Sequence, residues 1–403
     1  MRLARSPHLI PIFFLLSALA EFLQSIAVSW VAYDLTQSAF IVGALNAMVY
    51  LPGVIGGILL RNRADSGNAT RLLSLTTLAI FTAATILAVV NYLLTNPKVL
   101  LAIFFAFFAV LSLVKMFNKA YIGRTIRQQF PPERGALIMS RATTATMIGG
   151  AIGAGLAGLA LDLISATFAF ALAAALYGLS FGIVTLIRNH PPQPIHPTAT
   201  SPETTSATTP PTSVFRSRLL RTILLFSIPS SGAMVALSTI LVPLAVAVAP
   251  GAATAYSALS VSSMIGGIIG GVLLSTTTKT SRFALNAALA FSGILFLALT
   301  FTDSIYATTA LVFILSLTLT SHIVCMQVLT NQAPKDNQIG QFALIRNSVA
   351  GSAKVIFALA AGWGIQTFGL QPTTICLSLI LGCAAGVWVC VARRGDGVVR
   401  VLG

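Results

Sequence analysis

Twelve apolar stretches, each long enough to cross a bilayer, leave this chain few folds. They fall at about 9–33, 39–60, 72–94, 98–120, 136–161, 165–187, 221–248, 253–275, 284–302, 304–330, 342–366 and 371–392. A hydrocarbon core takes about 20 helical residues to span. Backbone groups in lipid must be paired within their own segment, so these stretches are helices. Only 8% of the 403 residues are charged and 56% are hydrophobic, whereas a soluble domain carries about 25% charge. Lipid is therefore the solvent. The order is six stretches, a break, then six. The expected class is an all-α integral membrane protein, with 12 transmembrane helices in two six-helix, pseudo-symmetric bundles.

The break is "RNHPPQPIHPTATSPETTSATTPPTSVFRSR", rich in proline, threonine and serine. Such a segment cannot bury a core and reads as a mobile tether. The expected domains are 1–188, a linker at 189–218, and 219–403 with a short basic tail. At the start, "MRLARSPHLIPIFFLLSALAE" has a basic end, an apolar run and an Ala18-Leu19-Ala20 triplet of the kind signal peptidase cuts. The apolar run continues past Glu21 through "FLQSIAVSWVAY", so it reads as an uncleaved first span.

The net charge of +15 raises two readings, a nucleic-acid partner or a basic cytoplasmic rim. Position decides for the rim. Every Lys and Arg except Lys98 and Lys354 falls on one side of the twelve spans. The positive-inside rule then puts both termini and the tether in the cytoplasm.

The chain repeats itself weakly. "GGILLRNRADSGNATRLL" from Gly56 follows the second span, and "GGVLLSTTTKTSRFAL" from Gly270 follows the eighth. "GALIMSRATTATMIGG" aligns with "GQFALIRNSVAGSAKV", placing Arg141 opposite Arg346 at the start of the fifth helix of each half. Matched bundles around a mid-membrane site describe an alternating-access transporter.

"WVAYDLTQSAFIVGALNAMVYLPGVIGGILL" (Trp30 to Leu60) carries a further pattern. Tyr33, Asp34, Leu35, Thr36 and Ser38 form a turn before the second span, and Leu51-Pro52 follows midway along it. This resembles the major facilitator superfamily, in the branch of the macrolide-efflux proteins and the enterobactin exporter. The resemblance implies export across a bacterial inner membrane. The family's loop after helix 2 reads Gly-x-Leu-Ala-Asp-Arg. Here Gly57 and Leu59 fit, but Arg61 stands at the acidic position and Asp65 is the nearest acid. The resemblance makes this a conformational loop with an altered latch. The family's helix-5 antiporter pattern has Gly-Pro, and "IGGAIGAGLAGLALD" has Ala154 in place of the proline.

A charge at mid-helix costs about 2.5–3.5 kcal/mol on insertion scales, so those present have roles. Glu21 is the carboxylate well inside a span. With Gln24 and Ser25 it makes a polar stripe at helical spacing. It reads either as a proton carrier or as a structural partner for a lysine or arginine. Lys115 and Lys119 lie one turn apart on the fourth span, and Arg141, Arg346 and Lys354 add to them. Lys119 and the two arginines also fit helix ends near lipid phosphates. Five cations against one carboxylate imply a positive hollow and an organic anion as substrate; the resemblance, taken with this charge, implies export of a carboxylate siderophore. Asn46 and Tyr50 on the second span, and His322 and Gln327 on the tenth, are further candidates to shape the site, with helix packing the alternative for His322.

No Gly-rich Lys-Ser/Thr loop, metal-ligand spacing or nucleophile triad is present, so neither an enzyme nor a cofactor is expected. The expected partners are a small anionic substrate, protons and lipid, with no nucleic acid, and the expected assembly is a monomer. Drug efflux, uptake of an anionic metabolite or siderophore, and a non-transporting sensor are the alternatives.

Overall fold

The computed structural model describes residues 8–59, 68–94, 96–188, 217–275, 282–332 and 339–393. Its helices are α1 (Leu9–Thr36), α2 (Ala39–Met48), α3 (Leu51–Leu59), α4 (Ala69–Leu93), α5 (Pro97–Gln129), α6 (Pro132–Leu163) and α7 (Ala166–Arg188). Then come α8 (Arg218–Val248), α9 (Ala253–Ser275), α10 (Arg282–Ala298) with a 3-10 turn at Leu299–Phe301, α11 (Ile305–Gln332), α12 (Ile339–Phe368) and α13 (Leu370–Arg393). Among the described residues, eleven spans are long and apolar enough to cross a membrane, and Asn286–Phe301 is a shorter apolar helix at the ninth place. The all-helical membrane architecture expected from the sequence is present. Large apolar side chains such as Ile86, Leu179, Ile356 and Leu379 stand exposed in mid-helix, which suits lipid and not water.

Local chemistry sets the helix ends. Asn68, Asn96 and Ser217 each accept a first-turn N–H with the side chain, from Arg71, Lys98 and Leu220 respectively. Pro97 follows Asn96, where a missing N–H costs nothing. The second span departs from a single helix. It breaks at Val49–Tyr50, because Pro52 has no N–H to bond the Met48 carbonyl four residues back. The new helix start leaves free N–H groups, and the Ser112 hydroxyl accepts that of Gly53 at 3.0 Å.

The chain divides into two compact units. Unit 1 comprises 1–37, 48–198 and 251–261, and unit 2 comprises 38–47, 199–250 and 262–403. Within unit 1, α1 packs along α6 and α7, and α4 along α7 and α5. Within unit 2, α8 packs along α12 and α11, and α10 along α13 and α11. The pairs of spans 1 with 5, 3 with 6 and 3 with 4 thus recur as 7 with 11, 9 with 12 and 9 with 10. The faint sequence repeat is a repeat of packing.

Close backbone approach holds α1 to α6. A Cβ at Gly149 or Gly153 would strike the carbonyl oxygen of Leu15 or Leu19. At the end of α6, both carboxylate oxygens of Asp162 accept backbone N–H groups opening α9, from Ala253 at 2.8 Å and Thr254 at 2.7 Å. These donors have no partner inside their own helix, and a negative charge suits a helix N-terminus. Asp162→Ala is expected to cost about 1–2 kcal/mol. An unshifted thermal midpoint in that variant would contradict the capping role.

In unit 2 hydroxyl pairs tie helices together. Ser263 meets Ser316 at 2.6 Å, and Ser292 meets Thr318 at 2.8 Å. Other hydroxyls bond back to their own helix, as Thr77 does to the Leu73 carbonyl at 2.8 Å.

Candidate functional site

Unit 1 holds a polar site inside apolar helices. Glu21, near the middle of α1, forms an ion pair with Lys115 of α5. The Lys115 ammonium is shielded from solvent, and the two side chains are 27% and 36% exposed for Lys115 and Glu21. Burying one partner alone costs far more than burying the pair, so the α1 carboxylate and the α5 lysine require each other. Both line a cavity of about 30 Å³ with Gln24, Ser25, Val49, Phe107, Phe108, Leu111 and Ser112. That space admits water and no organic molecule.

Gln24 is 1% exposed, and neither atom of its amide has a hydrogen-bond partner. A buried amide left unpaired is costly, which marks a place where a further polar group belongs. Tyr50 stands in the break between α2 and α3, next in sequence to the cavity-lining Val49. The Tyr177 hydroxyl is also buried without a partner. The break between α2 and α3 borders this cavity through Val49. Irregular backbone at membrane depth is tolerated where it borders a cavity.

The other candidate residues separate. Lys119 and Arg141 are exposed in unit 1. Asn46 falls in unit 2, where its amide donates to the Thr239 hydroxyl at 3.1 Å. Lys354 is half-buried on α12 and has an interaction partner, and Gln327 is exposed on α11. Of the five candidate cations, Lys115 is neutralised by Glu21 and Lys119 and Arg141 face outward in unit 1, while Arg346 and Lys354 belong to unit 2. Gly57 falls in the last turns of α3, and Arg61 and Asp65 lie outside the described residues.

Unit 2 has its own buried polar cluster. Arg346 of α12 is 4% exposed and His322 of α11 is 2% exposed. Arg346 Nε donates to Ser227 Oγ of α8 at 3.4 Å. His322 Nδ1 lies 2.9 Å from Ser230 Oγ of the same helix.

Helices of this number, paired in this way, match a known family. A model described as Major Facilitator Superfamily matches residues 12–358. The chain belongs to this superfamily. Solved structures of the superfamily fold agree over its whole length. A bacterial homologue of the human lysosomal transporter Spinster, inward-facing and unoccupied, is 13% identical, with 100% of this chain and 99% of that one covered and a TM-score of 0.74. The nucleoside transporter NupG is 14% identical, with 97% and 99% covered and a TM-score of 0.71. At such identity the likeness shows the fold alone. No curated protein matches the chain. Membership makes this a multi-pass membrane transporter of small molecules rather than an enzyme.

Proposed function

We propose that this superfamily member is a proton-coupled carrier of small organic anions, with Glu21 as the proton site and Lys115 as the cation that meets the substrate. The Glu21–Lys115 pair beside the unpartnered amide of Gln24 carries this reading. A lysine cannot bind a carboxylate substrate while its own carboxylate occupies it. Protonating Glu21 frees the Lys115 ammonium, and in a conformation that opens this small space wider an anion pairs with it. Proton and anion therefore bind together and leave together. Across a membrane with the proton gradient directed inward, that coupling drives uptake, one of the alternatives open in the sequence. Alternating access is the mechanism that paired bundles support.

A second reading is export of a carboxylate siderophore. It is favoured by the turn Tyr33-Asp34-Leu35-Thr36 with Ser38 and by Leu51-Pro52, which resemble the enterobactin-exporter branch. Proton-driven export requires the opposite coupling, with the proton expelling the anion. Proteoliposomes separate the two: an acid exterior accelerates entry of labelled citrate under the first reading and its exit under the second.

Lys115→Met tests the substrate role. A charge-assisted hydrogen bond contributes about 1.5–3 kcal/mol, so apparent citrate affinity should fall at least about tenfold. Unchanged affinity would remove Lys115 from the site. Transport of macrolides or dyes, with no anion moved, would replace the anion reading by drug efflux.

A further inference from the structure

We infer that Arg346, His322, Ser227 and Ser230 form a binding site in unit 2 for one compact oxyanion group, a carboxylate or a phosphate. The site uses neither Glu21 nor Lys115 and is independent of the coupling reading above.

Charge balance is the first argument. A buried guanidinium needs an anion beside it, because an unpaired charge away from water is among the most costly groups a protein can hold. The described acid in unit 2 is Asp303. It precedes α11, whereas Arg346 lies in the second turn of α12, which begins after α11 has run its full length. Asp303 is therefore at the wrong end of the helix pair. Neighbours of Arg346 along α12, Phe342, Ile345 and Val349, and Phe226 beside Ser227 on α8, belong to an apolar core. A low-dielectric surround strengthens any ion pair formed there.

Hydrogen-bond direction is the second argument. The Ser227 hydroxyl donates to the Ile223 carbonyl at 2.7 Å, so its oxygen is free to accept from Arg346 Nε. That bond engages the root of the guanidinium through Nε, and the proposed site uses its outer fork for the ligand. The fork matches two oxygens of one carboxylate or phosphate. His322 is held by Ser230 through Nδ1, which leaves Nε2 as the ring's other hydrogen-bonding atom. Both serines come from one stretch of α8 that contains Pro229. The site thus joins α8, α11 and α12.

Trp388 reports on this site. Its ring packs edge-on against Phe226, next to Ser227 in sequence, with centroids 4.4 Å apart. The sequence has three tryptophans, so Trp30→Phe with Trp363→Phe leaves Trp388 alone. In detergent, this protein is titrated with inorganic phosphate, with citrate, and separately with short-chain phosphatidylglycerol. A saturable change in emission is expected, with half-saturation raised at least about tenfold by Arg346→Met and partly restored by Arg346→Lys. A response to phosphate or citrate identifies a free anion as the occupant, and a response to the lipid alone identifies a headgroup.

Thermal stability separates binding from a merely structural arginine. Without anion, Arg346→Met should melt higher than the parent, because an uncompensated charge is gone, and the rise in melting temperature that anion gives the parent should vanish. No saturable response in the parent, an equal response in Arg346→Met, or a lower melting temperature in that variant with no anion effect in the parent would each overturn the site. Lys115→Met must leave the titration unchanged; losing it there would overturn its independence. If Lys115→Met abolishes transport while Trp388 never responds, this inference fails and the carrier reading stands.

Discussion

Glu21→Gln is expected to abolish concentrative anion uptake while sparing exchange. One proton moving down two pH units supports about a hundredfold accumulation of one partner. Glutamine keeps the shape of the side chain and resembles the protonated acid, so Lys115 stays free for the anion and no proton is carried. Accumulation should fall to the unenergised ratio, whereas citrate inside should still exchange for citrate outside. The measurement is uptake of labelled citrate into proteoliposomes, with and without an acid exterior, followed by counterflow. Retained accumulation in Glu21→Gln would remove the carboxylate from coupling. Loss of counterflow as well would reassign Glu21 to holding Lys115 in place.

Gly153→Val is expected to eliminate most of the folded protein. The added side chain strikes the Leu19 carbonyl oxygen of α1, which is main chain and cannot turn aside. Overpacking that side chains can relieve costs about 1–3 kcal/mol, and here α1 must move away from α6 along its length. That cost is a large part of a typical domain's stability of about 5–15 kcal/mol. Gly149→Val should behave alike, since Leu15 stands in the same relation to it. Gly382→Val is the control: a Cβ there meets nothing within 4 Å. Yield and melting temperature by size-exclusion fluorescence decide the matter. Normal folding of Gly153→Val would show that α1 and α6 do not pack this closely.

The spans were legible because hydropathy acts over twenty residues and needs no partner. The weak echo between the halves has a counterpart in packing, since spans 1 with 5, 3 with 6 and 3 with 4 recur as 7 with 11, 9 with 12 and 9 with 10. The break at Val49–Tyr50 was signalled by Pro52, yet hydropathy alone runs straight through it. The break also divides Asn46 from Tyr50, which one continuous helix would have set a turn apart.

Side-chain partners were less legible. Glu21 and Lys115 stood out as charges inside spans, but only the folded chain pairs them. Arg141 and Arg346 align in sequence and differ in fate, one exposed and one buried, because burial depends on the neighbouring helices. Tyr177, Ser112, Ser227 and Ser230 escaped notice in the sequence. Each lies in an apolar helix where a lone hydroxyl looks ordinary, and only an absent or specific partner makes it informative.

The central claim is that proton and anion travel together through the Glu21–Lys115 pair. Proteoliposomes carrying a pH-sensitive dye inside test it most directly, with citrate added outside and no imposed gradient. The account predicts that citrate addition acidifies the interior in the parent protein and leaves it unchanged in Glu21→Gln. Citrate entry without interior acidification, or equal acidification in both proteins, would contradict it.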